Sequence, residues 1–270
     1  MSMVSTQNPW IFTFGLLGNM VSFVVFLAPI PTFLRIFKKK STEGFHSIPY
    51  IAAMFSAMLW LYYASHKPNT FLLITINSVG CFIETIYIVV YITFAPKKAK
   101  RFTLISLIMI NFVGFGSIIL ITELCIKASY RVTVLGWICM VLAISVFAAP
   151  LSVMRLVIRT RSVEFMPFYL SFFLTLSAIM WLFYGLLLKD LYIVVPNILG
   201  FVLGVLQMLL YVIYKYFLAV HVRPNDELHR SDLEAVTPSK TTDFEVQQTQ
   251  SPRARKGEKE HDQSIKCEQV

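Results

Sequence analysis

Apolar residues run in blocks along this chain, each long enough to cross a lipid core and set off by a short polar segment. The blocks fall at about 10–37, 45–64, 71–94, 103–124, 132–158, 165–188 and 192–220. An apolar stretch of roughly 20 residues spans a hydrocarbon core about 30 Å thick. The pattern therefore predicts an all-α integral membrane protein with seven transmembrane helices. Pro29 and Pro31 interrupt the later part of the first block, and Pro150 stands in the fifth. Beyond 220 the pattern stops. Residues 221–270 are dominated by Pro, Ser, Thr, Asp, Glu, Lys and Gln, with no apolar run able to form a core, which predicts a disordered cytoplasmic tail.

The blocks repeat. Shifted by 121 positions, residues 15–63 fall on 136–184 without a gap. Pro29 meets Pro150, Ser56-Ala57 meets Ser177-Ala178, and Trp60-Leu61-Tyr62-Tyr63 meets Trp181-Leu182-Phe183-Tyr184. At a shift of 120, Asn77 and Gly80 meet Asn197 and Gly200, so one residue is lost in between. Two three-span units separated by a single crossing enter the membrane from the same side, as parallel repeats about an axis along its normal. The organisation expected is a first three-helix repeat at 10–95, a linker helix with its loops at 96–131, a second repeat at 132–220, and the tail at 221–270.

Charge supplies orientation. Residues 1–220 hold sixteen Lys/Arg and five Asp/Glu, whereas 221–270 hold eight and ten. Twelve of the sixteen, including Arg35, Lys38–Lys40, Lys97, Lys98, Lys100 and Arg101, flank one side of the spans, and Lys67, Lys127, Arg131 and Lys189 flank the other. The positive-inside rule places the N-terminus outside and the tail in the cytoplasm. The overall +9 thus reflects topology, and no nucleic-acid partner is expected. Only 14% of residues are charged and 56% are hydrophobic, against about 25% charged in soluble domains. The four cysteines have no metal-ligand spacing and predict neither a metal site nor a disulfide. No enzyme motif is present (HExxH, Walker loop, dinucleotide fingerprint or nucleophile elbow), so neither catalysis nor a cofactor is expected. Residues 1–9 lack a basic n-region and a cleavage site, so the first span is expected to insert by itself.

The repeated polar residues are the candidates for function. Asn77 and Asn197 lie at equal depth about a turn and a half from one end of the third and seventh spans. One membrane Asn is ordinarily helix-to-helix glue; a matched pair across a common axis can present amides to a polar ligand. Trp60 and Trp181 approach that level beside Ser56 and Ser177. A single Trp near a boundary belongs to the aromatic belt, as expected of the unmatched Trp10 and Trp137. Two amides, two indoles and hydroxyls, all uncharged, suit a neutral molecule with many hydroxyls and apolar C–H faces, such as a sugar. Pro29, Pro49, Pro150 and Pro167 collect in the cytoplasmic third of four spans, where a missing N–H loosens the helix; they are read as an inner gate or hinge. Tyr63 and Asp190 lie where a hydrogen bond would close the outer mouth. Glu84, the one deep acid, has no copy in the second repeat and is left outside the site. In the tail, Thr237-Pro238 and Ser251-Pro252 are possible sites for proline-directed kinases.

These residues also form a set that resembles the plant SWEET sugar transporters. The matching stretches are Leu27-Ala28-Pro29-Ile30-Pro31-Thr32-Phe33, Lys38-Lys39-Lys40-Ser41-Thr42-Glu43-Gly44-Phe45 and Ser56-Ala57-Met58-Leu59-Trp60. In the second half they are Val146-Phe147-Ala148-Ala149-Pro150-Leu151-Ser152, Ser162-Val163-Glu164-Phe165-Met166-Pro167-Phe168 and Trp181-Leu182-Phe183-Tyr184-Gly185, followed by Pro196-Asn197. The resemblance covers about 10–217. It implies bidirectional, energy-independent sugar transport by alternating access, a sugar pocket at Asn77, Asn197, Trp60 and Trp181, a proline tetrad at Pro29, Pro49, Pro150 and Pro167, and an outer latch of Tyr63 and Asp190. Ser22, Val25, Ser56, Val146 and Ser177 fall where sugar size is tuned. Small residues there resemble the subgroup that exports sucrose across the plasma membrane, with hexose-selective or vacuolar members as the alternative. Homo-oligomers, or hetero-oligomers with family members, are also implied. A seven-helix receptor would not explain the parallel copies. A proton-coupled amino-acid exporter of the PQ-loop type would want a Pro-Gln pair in each half, where Ile30 and Leu151 follow the prolines instead.

Overall fold

The computed structural model describes residues 8–163 and 166–218, and all of them fall within one compact unit. Among the described residues seven helices are long and apolar enough to cross a membrane: α1 (Pro9–Lys39), α2 (Ile48–Ser65), α3 (Phe71–Phe94), α4 (Lys97–Cys125), α5 (Ala128–Thr160), α6 (Phe168–Leu187) and α7 (Leu191–Tyr216). Their starts have local causes. Asn8 accepts a hydrogen bond from Trp10 N–H with Pro9 in the first turn, and Asp190 caps α7 by accepting from Tyr192 N–H at 3.0 Å. The helix α4 begins six residues before its apolar run, because the basic turn from Lys97 to Arg101 is already helical. Glu164 and Phe165 of the stretch matched to the family, the end of the last span at 219–220, Thr237 and Ser251 lie outside the described residues.

Both α1 and α5 break next to their matched prolines, at Pro29 itself in the first and three residues before Pro150 in the second. Pro29 has no N–H for the carbonyl of Val25, and Ala28 N–H takes that carbonyl at 3.0 Å in a tighter turn. The helix resumes as Ile30–Lys39. In α5 the break falls at Phe147, whose N–H bonds Ile144 O at 3.1 Å, and Ala148–Thr160 follows. The repeat extends to backbone that its side chains do not advertise. α1 and α5 both end on a left-handed residue, Lys40 (φ 53°) and Arg161 (φ 52°). The loops before α3 and α7 each hold another, Asn69 (φ 62°) and Lys189 (φ 54°). The first pair is related by 121 positions and the second by 120, so the lost residue lies between them.

In each half the third span sits between the other two: α3 packs on α1 and α2, and α7 on α5 and α6. The halves meet where α1 packs on α6 and α2 on α5. Close approach of the first and third spans within each half relies on glycine. A Cβ on Gly136 of α5 would stand 2.4 Å from the Tyr192 ring, and one on the matched Gly15 would stand 2.5 Å from Leu72 Cδ1. The linker α4 runs along α2. It is exposed for most of its length, and its buried residues, Thr103, Asn111 and Thr122, are all polar.

Candidate functional site

Between the halves lies a cavity of about 250 Å³ whose lining includes Ser22, Phe26, Trp60, Asn77, Ala143, Phe147, Trp181 and Asn197. No charged side chain lines it. Asn77 and Asn197 are held alike: each donates one amide hydrogen to the carbonyl four residues back, Leu73 at 2.8 Å and Ile193 at 2.7 Å. That bond fixes the rotamer and leaves a second N–H and the amide oxygen of each for an occupant. The indoles are held alike too. Trp60 packs edge-on against Tyr63 at 5.5 Å and Trp181 against Tyr184 at 5.1 Å.

The floor comes from a repeat that the sequence reading passed over. Phe26 and Phe147 are related by the same 121 shift, and each lies on a matched glycine. A Cβ on Gly80 would meet Phe26 Cζ at 2.8 Å, and one on Gly200 would meet Phe147 Cζ at 3.2 Å. Their shared register was the available signal. Tyr87 OH donates to Phe26 O at 2.8 Å, tying the end of the first half of α1 to α3.

The walls differ. On the α1–α6 wall, Trp181 Nε1–H donates to Ser22 Oγ at 2.9 Å, and Ser22 shares a 2.8 Å hydroxyl bond with Ser177. On the α2–α5 wall the counterpart of Ser22 is Ala143, which offers Trp60 no hydroxyl. The structure thus brings Ser22, Trp60, Asn77, Trp181 and Asn197 to one cavity, with Ser177 behind Ser22. Val25, Ser56 and Val146 are not among the cavity-lining residues.

Toward Tyr63 the cavity is shut. Leu59, Tyr63, Leu72, Leu135, Cys139 and Tyr184 form a dry cluster across the halves. Tyr63 OH donates to Asp190 Oδ2 at 2.7 Å, and Lys67 Nζ reaches the same oxygen at 2.5 Å and the Tyr63 hydroxyl at 3.1 Å. The Asp190 side chain is fully buried. Sequence reasoning found the Tyr–Asp pair but not Lys67, which resembled one more loop cation. The prolines lie toward the opposite end, with Pro49 and Pro167 exposed and Pro29 and Pro150 half-buried. Below its break α1 packs on α3, where Phe33 stacks on Tyr87 at 4.4 Å, and the lower part of α5 packs on α7. Glu84, two turns from Asn77 on α3, is buried with Oε2 unpartnered. A Cβ on its counterpart Gly204 would stand 2.1 Å from Thr175 Oγ1.

This geometry offers a neutral, amphipathic seat that is closed toward Tyr63 and has the helix breaks of α1 and α5 beside its floor. Comparison with known proteins agrees with it. Residues 12–99 and 133–217 each match the family described as sugar efflux transporter for intercellular exchange. The bidirectional sugar transporter SWEET14 of Arabidopsis thaliana is 64% identical over 216 residues, covering 80% of this chain and 77% of its own. SWEET13 of the same plant is 62% identical, covering 80% and 74%. The solved structure of a eukaryotic SWEET transporter is similar with a TM-score of 0.73 at 36% identity, covering 76% of this chain and 96% of that one.

Proposed function

The chain belongs to the SWEET family of sugar efflux transporters, and we propose that it is a bidirectional sugar uniporter that carries sucrose out of the cell across the plasma membrane. One observation carries this reading: an uncharged cavity on the seam of two parallel repeats, with amides and indoles supplied in matched pairs. A disaccharide stacks its C–H faces on Trp60 and Trp181 and exchanges hydrogen bonds with Asn77 and Asn197. The sugar passes unchanged, so the protein is a carrier and not an enzyme.

The excess of basic residues at the proline end supports placing that end in the cytoplasm and the Tyr63 end outside. The described conformation is then closed outside. Rocking of the two halves would break the Tyr63–Asp190–Lys67 cluster, while the proline-broken lower parts of α1 and α5 close over the floor formed by Phe26 and Phe147. With no fixed charge in the cavity, net flux follows the sugar gradient alone.

Radiolabelled sucrose and glucose flux, measured in cells without carriers of their own, tests this reading. Sucrose flux in both directions, insensitive to a protonophore, is the expected result. Hexose flux without sucrose flux would overturn the substrate, and uphill accumulation driven by a proton gradient would overturn the uniport mechanism.

A further inference from the structure

The linker α4 is more than a tether. Each of its three buried polar residues faces α2. Thr103 shares a 2.7 Å hydroxyl bond with Ser47, Asn111 donates to Ile51 O at 3.3 Å, and Thr122 Oγ1 lies 2.8 Å from Tyr62 OH. An apolar helix whose buried side chains are polar and all directed at one neighbour is fastened to it, because a lone hydroxyl or amide in lipid must find a partner. Around the middle fastening the helix is π-helical over Ile108–Gly114, a loosened ladder of the kind at which helices bend. Asn111 Oδ1, inside that segment, is buried without a partner.

At the end of α4 stands Glu123, where both halves converge. Its carboxylate accepts from Tyr62 OH at 2.9 Å and lies 3.2 Å from His66 Nε2, both from the end of α2. Its other oxygen pairs with the Arg131 guanidinium from the first turn of α5. Arg131 also donates to the carbonyls of Glu123 at 2.8 Å and Ile126 at 3.2 Å, so the two-residue corner between α4 and α5 is stiff. Stiffness there sets the parting plane between Glu123 and the pair Tyr62–His66.

Resting on the alternating-access reading above, we propose that Glu123 is a second latch of the outer mouth: held in place by Arg131 of α5, it hooks α2 through Tyr62 and His66 and must let go before sugar can enter from outside. It is a positioning residue, distant from the cavity. When the halves part, the corner of α4 leaves with α5, giving up the Thr122–Tyr62 bond along with that of Glu123, while Thr103 and Asn111 keep the rest of α4 on α2 and the π-helical segment takes up the bend. Tyr63 and Tyr62 thus serve adjacent flanks of α2, the first toward Asp190 and the second toward Glu123.

Native Cys139 reports on this opening, since it is buried in the dry cluster below the mouth, while exposed Cys125 is reactive in either state. In intact cells treated with a membrane-impermeant thiol reagent, peptide mass spectrometry reads the rate at each cysteine, with Cys125 as internal reference. Glu123→Gln and Tyr62→Phe should each speed Cys139 modification about fivefold, the scale of one partly exposed ion pair or hydrogen bond. Asp190→Asn should speed it more. Thr103→Ala, which removes a buried fastening away from the mouth, should leave it unchanged. Acceleration in Asp190→Asn but not in Glu123→Gln overturns the second latch alone, and equal acceleration in Thr103→Ala reduces Glu123 to general support. Acceleration in neither latch variant overturns the alternating-access reading together with the inference.

Discussion

The two halves agree where the cavity is made and differ where it is closed and lined. Asn77 and Asn197 bond their own helices alike, Trp60 and Trp181 stand alike on Tyr63 and Tyr184, and Phe26 and Phe147 rest alike on Gly80 and Gly200. Asp190 acts once, gathering Tyr63 and Lys67, and Ser22 acts once, where Ala143 stands opposite. Duplication supplies a two-sided seat, and the differences give that seat a mouth and a handedness. The comparison can be broken at each level.

The largest effect is expected at the unmatched mouth. Asp190→Ala strands Tyr63 OH and the Lys67 ammonium against each other. Removing one partner of a buried pair costs about 3 kcal/mol, toward the low end because Lys67 is partly exposed. The closed state should lose most of its advantage, seen as hydrogen exchange rising sharply at the end of α2 and the start of α7. Unchanged protection there would mean that the dry cluster alone holds the mouth.

Next come the matched amides. Asn77→Ala and Asn197→Ala should each lower sucrose flux more than tenfold at normal surface expression, since losing a buried polar partner of the substrate is worth about 2 kcal/mol. Similar losses in both would support equal roles about the axis. Full activity in either would return that amide to helix-to-helix glue.

Packing of the first span on the third, within each half, gives a smaller contrast. A methyl on Gly136 meets the body of the Tyr192 ring at 2.4–2.6 Å, pinned at 5.9 Å from Trp137, whereas a methyl on Gly15 meets the tip of Leu72 at 2.5 Å and only the edge of the Tyr184 ring at 2.9 Å. Overpacking costs about 1–3 kcal/mol and least where the neighbour can turn aside. Gly136→Ala should therefore lower the thermal midpoint of the purified protein by more than Gly15→Ala. The reverse order would show that the first half is the tighter.

Much of this was legible in the sequence because a membrane allows few solutions. Apolar length gave the spans, and the odd span between copies gave parallel repeats. Pairs such as Asn77 and Asn197 stood out because polar residues are costly there. What escaped had no cost to advertise it. Phe26 and Phe147 are ordinary apolar residues until the glycines beneath them are seen. Lys67 and Glu123 resemble solvated loop charges, and only folding brings Lys67 to Asp190 and Glu123 to Tyr62, 61 positions away. Ser22 was noted for size, yet in the structure it occupies the Trp181 indole N–H.

That last bond leads to the finest contrast between the halves. With its N–H given to Ser22, Trp181 offers sugar only its ring, while Trp60 faces Ala143 and keeps a donor for the substrate. Ala143→Ser would place a hydroxyl where the repeat relation puts Ser22 and engage the Trp60 N–H as Ser22 engages that of Trp181. One neutral hydrogen bond to substrate is worth about 1 kcal/mol, so the half-saturating sucrose concentration should rise about fivefold with little change in maximal rate. Ser22→Ala should act in the opposite sense by freeing the second indole, at the expense of the bond to Ser177. Concentration dependence of sucrose flux in the two variants decides the matter. If Ala143→Ser leaves it unchanged, the Trp60 N–H is not a sugar donor, and the two walls, though built differently, present the same face to the substrate.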